Sequence, residues 1–422
     1  MRAPRLLVLA VALLALVLAG CAPARAPRPD AGPPRVDPAF VHGTDGGSID
    51  RLAASVVTDV QAYWSATFPE LFGKPWHDLD GGFYSADTSA ADSRPPPCSG
   101  TVQSLEGNAY YCGSVDAIAW DRGALLPVLR EHYGDAAVAV VLAHELGHAV
   151  QQRAGMDVGS SRDPMRTEAG ADCYAGAFMR SAADGHAPHL RFTDQQRDQA
   201  LHALIVFRDP VGAGSGDAHG SSFDRITAFQ DGYQRGPGQC GQVPADSDRL
   251  TNGRADDGNQ RFDDVLARRP GAEFFDELVA EPGPAAPPIR PAEGSGCAAA
   301  PVSYCAGGPA VVFDRAGLSA LHDDIGDQAT ATLLASRQAI AALGALGRPT
   351  TGPDAGRAAS CLTGAYTART PDLSAGDLDE AVETLLVSDA VSRDAQGGQA
   401  LTGADRVDAF RTGLTGGPSA CR

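Results

Sequence analysis

A single lysine, Lys74, serves 422 residues, and basic side chains total 34 against 52 acidic ones. The formal charge of −18 argues against nucleic acid as a partner, since phosphate binding needs a basic face. Acidity of this kind reads as the solubility of an exported protein. Histidine is scarce too, ten in all, which makes any close pair of them informative. Beyond the first twenty residues no apolar run is long enough to cross a bilayer. With 43% hydrophobic residues the chain can still bury real cores, and its length suits two or three domains of roughly 100–200 residues.

What is present begins at the N-terminus. Arg2 and Arg5 precede an apolar run from Leu6 to Leu18, too short for a permanent span and shaped as an export signal over residues 1–20. Leu18-Ala19-Gly20-Cys21 resembles a bacterial lipobox, which implies cleavage before Cys21 and lipid on its thiol. Residues 21–50, rich in Pro, Ala and Gly, then read as a tether. The expected address is the outer face of a bacterial cell membrane. If Cys21 carries lipid, eight cysteines remain, an even count that reads as disulfides in an oxidising compartment.

The chemistry concentrates in DAAVAVVLAHELGHAVQQRAG, residues 135–155. Asp135 can cap a helix start and Gly155 can end it. His144 and His148 are four apart, so a helix projects both from one face, as two ligands of one metal require. Glu145 stands beside them, placed to take a proton from a metal-bound water. Zn²⁺ suits imidazole and carboxylate and lowers the pKa of its water to about 7. A second helix opens after Pro164 with MRTEAGADCYAGAFMR, where Glu168 can return as the third ligand. Asp172, one turn further, can fix the tautomer of a ligand histidine. In GDAHGSSFDRITAF (216–229), His219 is a candidate oxyanion stabiliser, and Arg225 a cation near it. His186, His189 and His202 have no ligand-like spacing and read as surface residues.

The assembly from Cys98 to Cys240 resembles the bacterial neutral zinc metallopeptidases, through the paired Cys98 and Cys112, DAIAWD, HELGHAVQQ, EAGADCYAG and HGSSFDRITAFQDG. It is also similar to thermolysin-like gluzincins, whose third ligand is a Glu with an Asp four residues later. Membrane heat-shock and prenyl-protein proteases share a comparable His…Arg element. The resemblance covers roughly residues 51–242 and implies an α+β zincin fold, a small sheet over the metal helix with the glutamate on a second helix. Gly170 and a Pro-rich insertion before Cys98 depart from the usual pattern, which leaves the ligand set intact. DAIAWD (116–121) alternates as a half-buried strand, either a plain core strand or an edge that pairs with a substrate peptide.

The chain then repeats itself. YCGSVDAIAWDRGAL (111–125) returns as YCAGGPAVVFDRAGL (304–318), and VVLAHELGHAVQQRAG (140–155) falls on TLLASRQAIAALGALG (332–347). EAGADCYAGAF (168–178) falls on GRAASCLTGAY (356–366), and GSSFDRITAFQDGYQRGPGQC (220–240) on LTGADRVDAFRTGLTGGPSAC (401–421). Residues 295–422 are thus a second, degenerate copy, with 243–294 as linker and the remains of its N-terminal part. The chemistry is erased in it. His144 becomes Ser336, Glu145 Arg337, His148 Ile340, Glu168 Gly356, Asp172 Ser360 and His219 Ala400, so this copy should bind no metal and cleave nothing. Arg225 matches Arg406 in the copy without a site, which demotes it to a structural ion pair. Analogy between the copies pairs Cys98 with Cys112, Cys173 with Cys240, Cys297 with Cys305 and Cys361 with Cys421. The second copy would shield the active face, recognise substrate, bind a protein partner, or pack on the first about a pseudo-two-fold axis.

The expectation is therefore a lipid-anchored metallopeptidase with one Zn²⁺ per chain, acting on a peptide or protein substrate. Its rival is a non-catalytic metal-binding scaffold of the cell envelope. The intact Glu145 argues against the rival, because a structural site needs a fourth ligand in place of a general base.

Overall fold

Glycine at position 155 ends the helix that carries HELGH. It adopts φ 81° and donates its N–H to the carbonyls of Gln151 and Gln152. The helix itself, Asp135–Ala154, is buried along most of its length because Ala, Val and Leu surround it on every side. Asp135 opens this helix but does not cap it: Gly134 is the cap, and Asp135 instead pairs with Arg130 and Arg35.

The computed structural model describes residues 33–90, 92–156, 164–206, 221–242, 246–251, 253–254, 258–279, 286–293, 301–399 and 401–421. The export signal, Cys21, His219, Cys297 and Ala400 lie outside the described residues. In the first half, helix α1 (Ser48–Phe72) precedes strands β1 (Gly82–Ala86), β2 (Ala109–Cys112) and β3 (Ala117–Asp121). Helices α2 (Leu125–Tyr133), α3 (Asp135–Ala154), α4 (Pro164–Ala183), α5 (Asp194–Val206) and α6 (Ser222–Arg235) follow. After a short helix α7 (Asp246–Thr251), the second half sets out α8 (Phe262–Ala267), α9 (Ala272–Val279), β4 (Ile289–Pro291), β5 (Val302–Cys305) and β6 (Ala310–Phe313). It closes with α10 (Arg315–Asp324), α11 (Asp327–Ala345), α12 (Pro353–Thr367), α13 (Ala375–Val387) and α14 (Gly403–Gly416).

The two sheets repeat one another in order and register. The first runs β1-β3-β2 and the second β4-β6-β5, each with a parallel and an antiparallel pair. Ala109 faces Trp120 and Cys112 faces Ala117, as Val302 faces Phe313 and Cys305 faces Ala310. Ala117–Asp121 of DAIAWD forms β3, which is central with every residue buried, so the edge beside the HELGH helix belongs to β2.

Helices α4 and α6 cross so closely that side chains are excluded. A Cβ on Gly176 would stand 2.0 Å from the Phe229 carbonyl oxygen, and one on Gly232 1.8 Å from that of Cys173. Gly364 and Gly413 repeat this in the second half, 1.9 Å from the Phe410 oxygen and 1.8 Å from that of Cys361. Disulfides Cys173–Cys240 and Cys361–Cys421 brace the two crossings, and Cys98–Cys112 ties the loop before β2. Cys305 is disulfide-bonded, its expected partner Cys297 lying outside the described residues.

Residues 35–422 are one compact unit, and one apolar core runs from Leu52 and Trp64 through to Val407 and Phe410. Residues 35–50, expected in the tether, are folded: the Val36 N–H donates to Ser55 Oγ, and the His42 N–H to the Phe83 carbonyl. Short apolar side chains spaced along Val36 and Val41 give this stretch a face to bury, which its Pro and Gly content masked. The halves meet through α5 and α6 of one and α13 and α14 of the other, where Arg411 grips Asp231 at 2.6 and 2.9 Å.

Candidate metal centre

Helical spacing brings the two imidazoles of α3 together, and the crossing of α3 with α4 brings in the carboxylate. His144 Nε2 and His148 Nε2 lie 3.2 Å apart. Glu168 places Oε2 3.2 Å from His144 Nε2 and Oε1 3.5 Å from His148 Nε2. Four donors arranged tetrahedrally around Zn²⁺ at about 2.0–2.1 Å are about 3.3 Å from one another. The three side chains converge as a triangle near this spacing, one Glu168 oxygen toward each imidazole, and their chemistry, two imidazoles and a carboxylate, fits Zn²⁺.

Outside this triangle each histidine is held by its other ring nitrogen. His144 Nδ1 is 2.7 Å from Asp172 Oδ1. Asp172 is fully buried, and Arg225 clamps it, Nε on Oδ2 at 2.9 Å and Nη2 on Oδ1 at 3.0 Å. His148 Nδ1 is 3.0 Å from Gln151 Oε1, and Gln151 Nε2 donates to the Thr167 carbonyl at 2.6 Å. With Nδ1 donating to these acceptors, both rings present Nε2 toward Glu168. Gly170 is part of the same arrangement: a Cβ there would lie 2.5 Å from Gln151 Nε2, so the missing side chain makes room for that amide.

Charges follow the contacts. Burial alone pulls His144 down, but Asp172 and Glu168 outweigh it and push it up to about 10. Burial likewise pushes Asp172 up, and Arg225 with His144 outweighs it, holding the carboxyl below the usual carboxylate range. Glu145 is buried next to His144 and His148 on the same helix. With Asn108, Ala109, Leu125, Val141, His144 and Arg225 it lines a cleft of 60 Å³, room for several waters. Asn108 and Ala109 bring β2 to the rim of this cleft.

Arg225 is therefore not merely the counterpart of Arg406. Its guanidinium reaches the carboxylate that orients His144, whereas Arg406 turns to the backbone carbonyls of Leu385, Leu386 and Leu401. Ser360 replaces Asp172 and offers no charge, so Arg406 finds other acceptors. The buried ion pair expected of Arg225 is present, made with Asp172, and what the analogy did not show is that this pair backs His144. Gln151 went unnoticed altogether, although its place three residues after His148 on the same helical face was the available signal. Among the other histidines His186 is exposed, but His189 is half-buried with Nδ1 2.7 Å from Asp59, and His202 is half-buried against the Tyr133 ring. Neither joins the metal site.

In the second half the corresponding space is filled. Ser336 Oγ donates to the Leu333 carbonyl, and Arg337 lies 1% exposed with Nη2 on the Val391 carbonyl at 2.7 Å and Nη1 on that of Arg393. Burial, then Arg393, pulls Arg337 down to about 9, which leaves it protonated at neutral pH. Another acidic group, Asp327, Asp377 and Glu380, is occupied by helix ends: Glu380 accepts from the Gln328 N–H and Asp377 caps α13 with Ser374.

Comparison with protein families, with curated proteins and with solved structures yields no match to this chain. A functional reading rests on the residues themselves.

Proposed function

We propose that this chain is a zinc-dependent peptidase of zincin type, with one Zn²⁺ per chain held by His144, His148 and Glu168. The observation that carries the reading is the convergence of two Nε2 atoms 3.2 Å apart with one Glu168 oxygen 3.2 Å from His144 and the other 3.5 Å from His148, and Glu145 buried beside them. When bound, Zn²⁺ supplies a Lewis acid and lowers the pKa of a coordinated water to about 7. Glu145 takes the proton of the attacking water and delivers it to the leaving amine. Asp172, charged and gripped by Arg225, holds His144 in the tautomer that donates from Nδ1, and Gln151 does the same for His148. The free edge of β2 offers backbone groups to an extended substrate at the rim of the cleft. His219 remains the proposed partner of the oxyanion, and Arg225 lines the same cleft.

Among its described residues the second half holds no donor set at the matching positions, and it buttresses α6 through the shared core. Export and a lipid on Cys21 place the peptidase at the outer face of a cell membrane; no helix among the described residues is long and apolar enough to cross one. The test is Glu145→Gln. Expected are one zinc per chain, retained in the variant, and loss of cleavage of a broad peptide library. Unchanged cleavage overturns the assignment of Glu145, and a zinc-loaded wild type that cleaves no peptide overturns the peptidase.

A further inference from the structure

Four and five residues past His148, Gln152 and Arg153 bolt the last turn of α3 to the β2–β3 hairpin. Arg153 grips Asp116 at 3.0 and 2.8 Å, and Asp116 accepts from the Tyr111 hydroxyl of β2 at 2.7 Å. That hydroxyl also lies 3.0 Å from Gln152 Oε1, and Gln152 Nε2 donates to the Gly113 carbonyl at 3.2 Å. The side chains of Arg153 and Asp116 are only 14% and 20% exposed, so solvent screens their pairing little. The guanidinium lies 4.7 Å from the Trp76 ring centroid, and Nε donates to the His77 carbonyl. Asp116 takes φ 56°, a left-handed conformation that aspartate tolerates and that proline cannot adopt.

The second half keeps the sheet and loses the bolt. Its strands repeat the order and register of the first, and Tyr304 stands where Tyr111 does. Pro309, however, replaces Asp116, Gly344 replaces Gln152 and Ala345 replaces Arg153. All four of these second-half residues line a pocket of 270 Å³. A helix packed on a sheet of this register therefore folds without the bolt. The bolt disappears together with the zinc ligands and Glu145, which points to work done only in the first half.

That work lies at the free edge of β2. The Asp121 N–H donates to the Asn108 carbonyl at 3.0 Å, and the register then bonds Tyr110 with Ala119 and Cys112 with Ala117. The backbone N–H and carbonyl groups of Ala109 and Tyr111 are thereby turned outward. Asn108 and Ala109 line the cleft together with His144 and Glu145. A peptide paired along this edge thus meets the site at a height set by where β2 stands against α3.

We propose that Tyr111, Asp116, Gln152 and Arg153 are positioning residues: they fix the free edge of β2 relative to α3 and so hold the backbone of an extended peptide substrate in register with Glu145. The inference rests on the peptidase reading of the first half, and it names the substrates concerned, those long enough to pair with Tyr111. Misplacing a bound substrate by about 1 Å costs about 100-fold in rate. Pairing with β3 still restrains β2 from its other side, so loss of the bolt should cost about tenfold.

The experiment compares wild type with Arg153→Met, which keeps an apolar stem beside Trp76 and drops the grip on Asp116. The substrates are an octapeptide from the library that wild type cleaves, and the end-blocked dipeptide around its scissile bond, too short to reach Tyr111. Expected is a fall of about tenfold in kcat/KM for the octapeptide, with the dipeptide and the zinc content unchanged. Tyr111→Phe, which leaves the ion pair in place, should cost the octapeptide about threefold, the worth of one net hydrogen bond. Binding of the octapeptide to the Glu145→Gln chain, by calorimetry, should weaken about tenfold when Arg153→Met is added. Cleavage with equal losses on both substrates, or with none on either, overturns the positioning role alone, as does an unchanged affinity. A wild type that cleaves no library member overturns the peptidase and this role with it.

Discussion

Asp198 and Asp379 occupy the same place in the two halves, and each closes the start of a helix that belongs to the other. Asp198 accepts from the N–H groups of Gly403 and Ala404 at the head of α14, and Asp379 accepts at 2.9 Å from the N–H of Phe223 at the head of α6. Phe223 and Ala404 are themselves equivalent in the repeat. A contact in which i meets j′ while i′ meets j is the mark of an isologous interface, here inside one chain. Carboxylates at helix N-termini satisfy orphan N–H groups and meet the positive end of the dipole.

Removing either cap should therefore cost the whole unit. Asp379→Ala leaves the buried Phe223 N–H unpaired and should destabilise by about 1–3 kcal/mol. Asp198→Ala should cost a similar amount at Ala404, read for both by denaturant unfolding. Two separate transitions in either variant would show that the halves do not fold as one.

Arg225→Leu should cost more. It strands the Asp172 carboxylate, fully buried, without its cation, and breaking a buried pair from one side costs about 3–5 kcal/mol. His144 then loses its fixed acceptor geometry, so zinc affinity should fall about 10–100-fold. The double variant Arg225→Leu with Asp172→Leu separates the two effects. Stability should partly return and zinc affinity should not; recovery of both would reduce the pair to packing.

The contrast between Arg225 and Gln151 marks what the chain shows on its face. His144, His148 and Glu168 were legible because helical spacing fixes which side chains share a face, and the repeat was legible because Tyr-Cys, Asp-Arg and Gly-Pro recur in order. Partners set by how helices cross were not. Gln151 meets His148 along α3 but is itself held by Thr167 of α4, and no local pattern announces that crossing. Strand order was hidden for the same reason: DAIAWD alternates like an edge, yet pairing with both β1 and β2 puts it in the centre. Arg406 shows the limit of internal comparison, since a retained residue can keep its type and change its partner.

Zinc and protons should compete at His144. Its pKa is raised to about 10 against an unfolded value of about 6.5. The sign follows: in the zinc-free chain its stabilising contribution is whole below about pH 6.5 and is lost as pH rises through about 10. Because the ligand form is neutral, zinc binding at pH 7 should release about one proton from this site, and affinity should rise about tenfold per pH unit. Calorimetry in two buffers of different ionisation heat measures the proton count. A count of zero, with affinity flat from pH 6 to 8, would contradict the assignment of His144 as a ligand.

Restoring the ligands to the second half should fail to restore the site. Ser336→His, Ile340→His and Gly356→Glu together recreate the three donor types at the matching positions of α11 and α12. The room for them is gone, however: a Cβ on Gly356 would lie 2.2 Å from the Ser392 carbonyl oxygen, backbone that cannot step aside as a side chain can. Arg337 adds a buried positive charge bonded to the carbonyls of Val391 and Arg393 in the same place, and its charge repels a second cation. Zinc content should stay at one per chain, and Gly356→Glu alone should cost several kcal/mol by forced overpacking. Two zincs per chain in the triple variant, by elemental analysis after dialysis against a weak chelator, would show that the lost side chains alone silenced this half. One zinc would show that backbone from Asp389 to Arg393 closed the site as well.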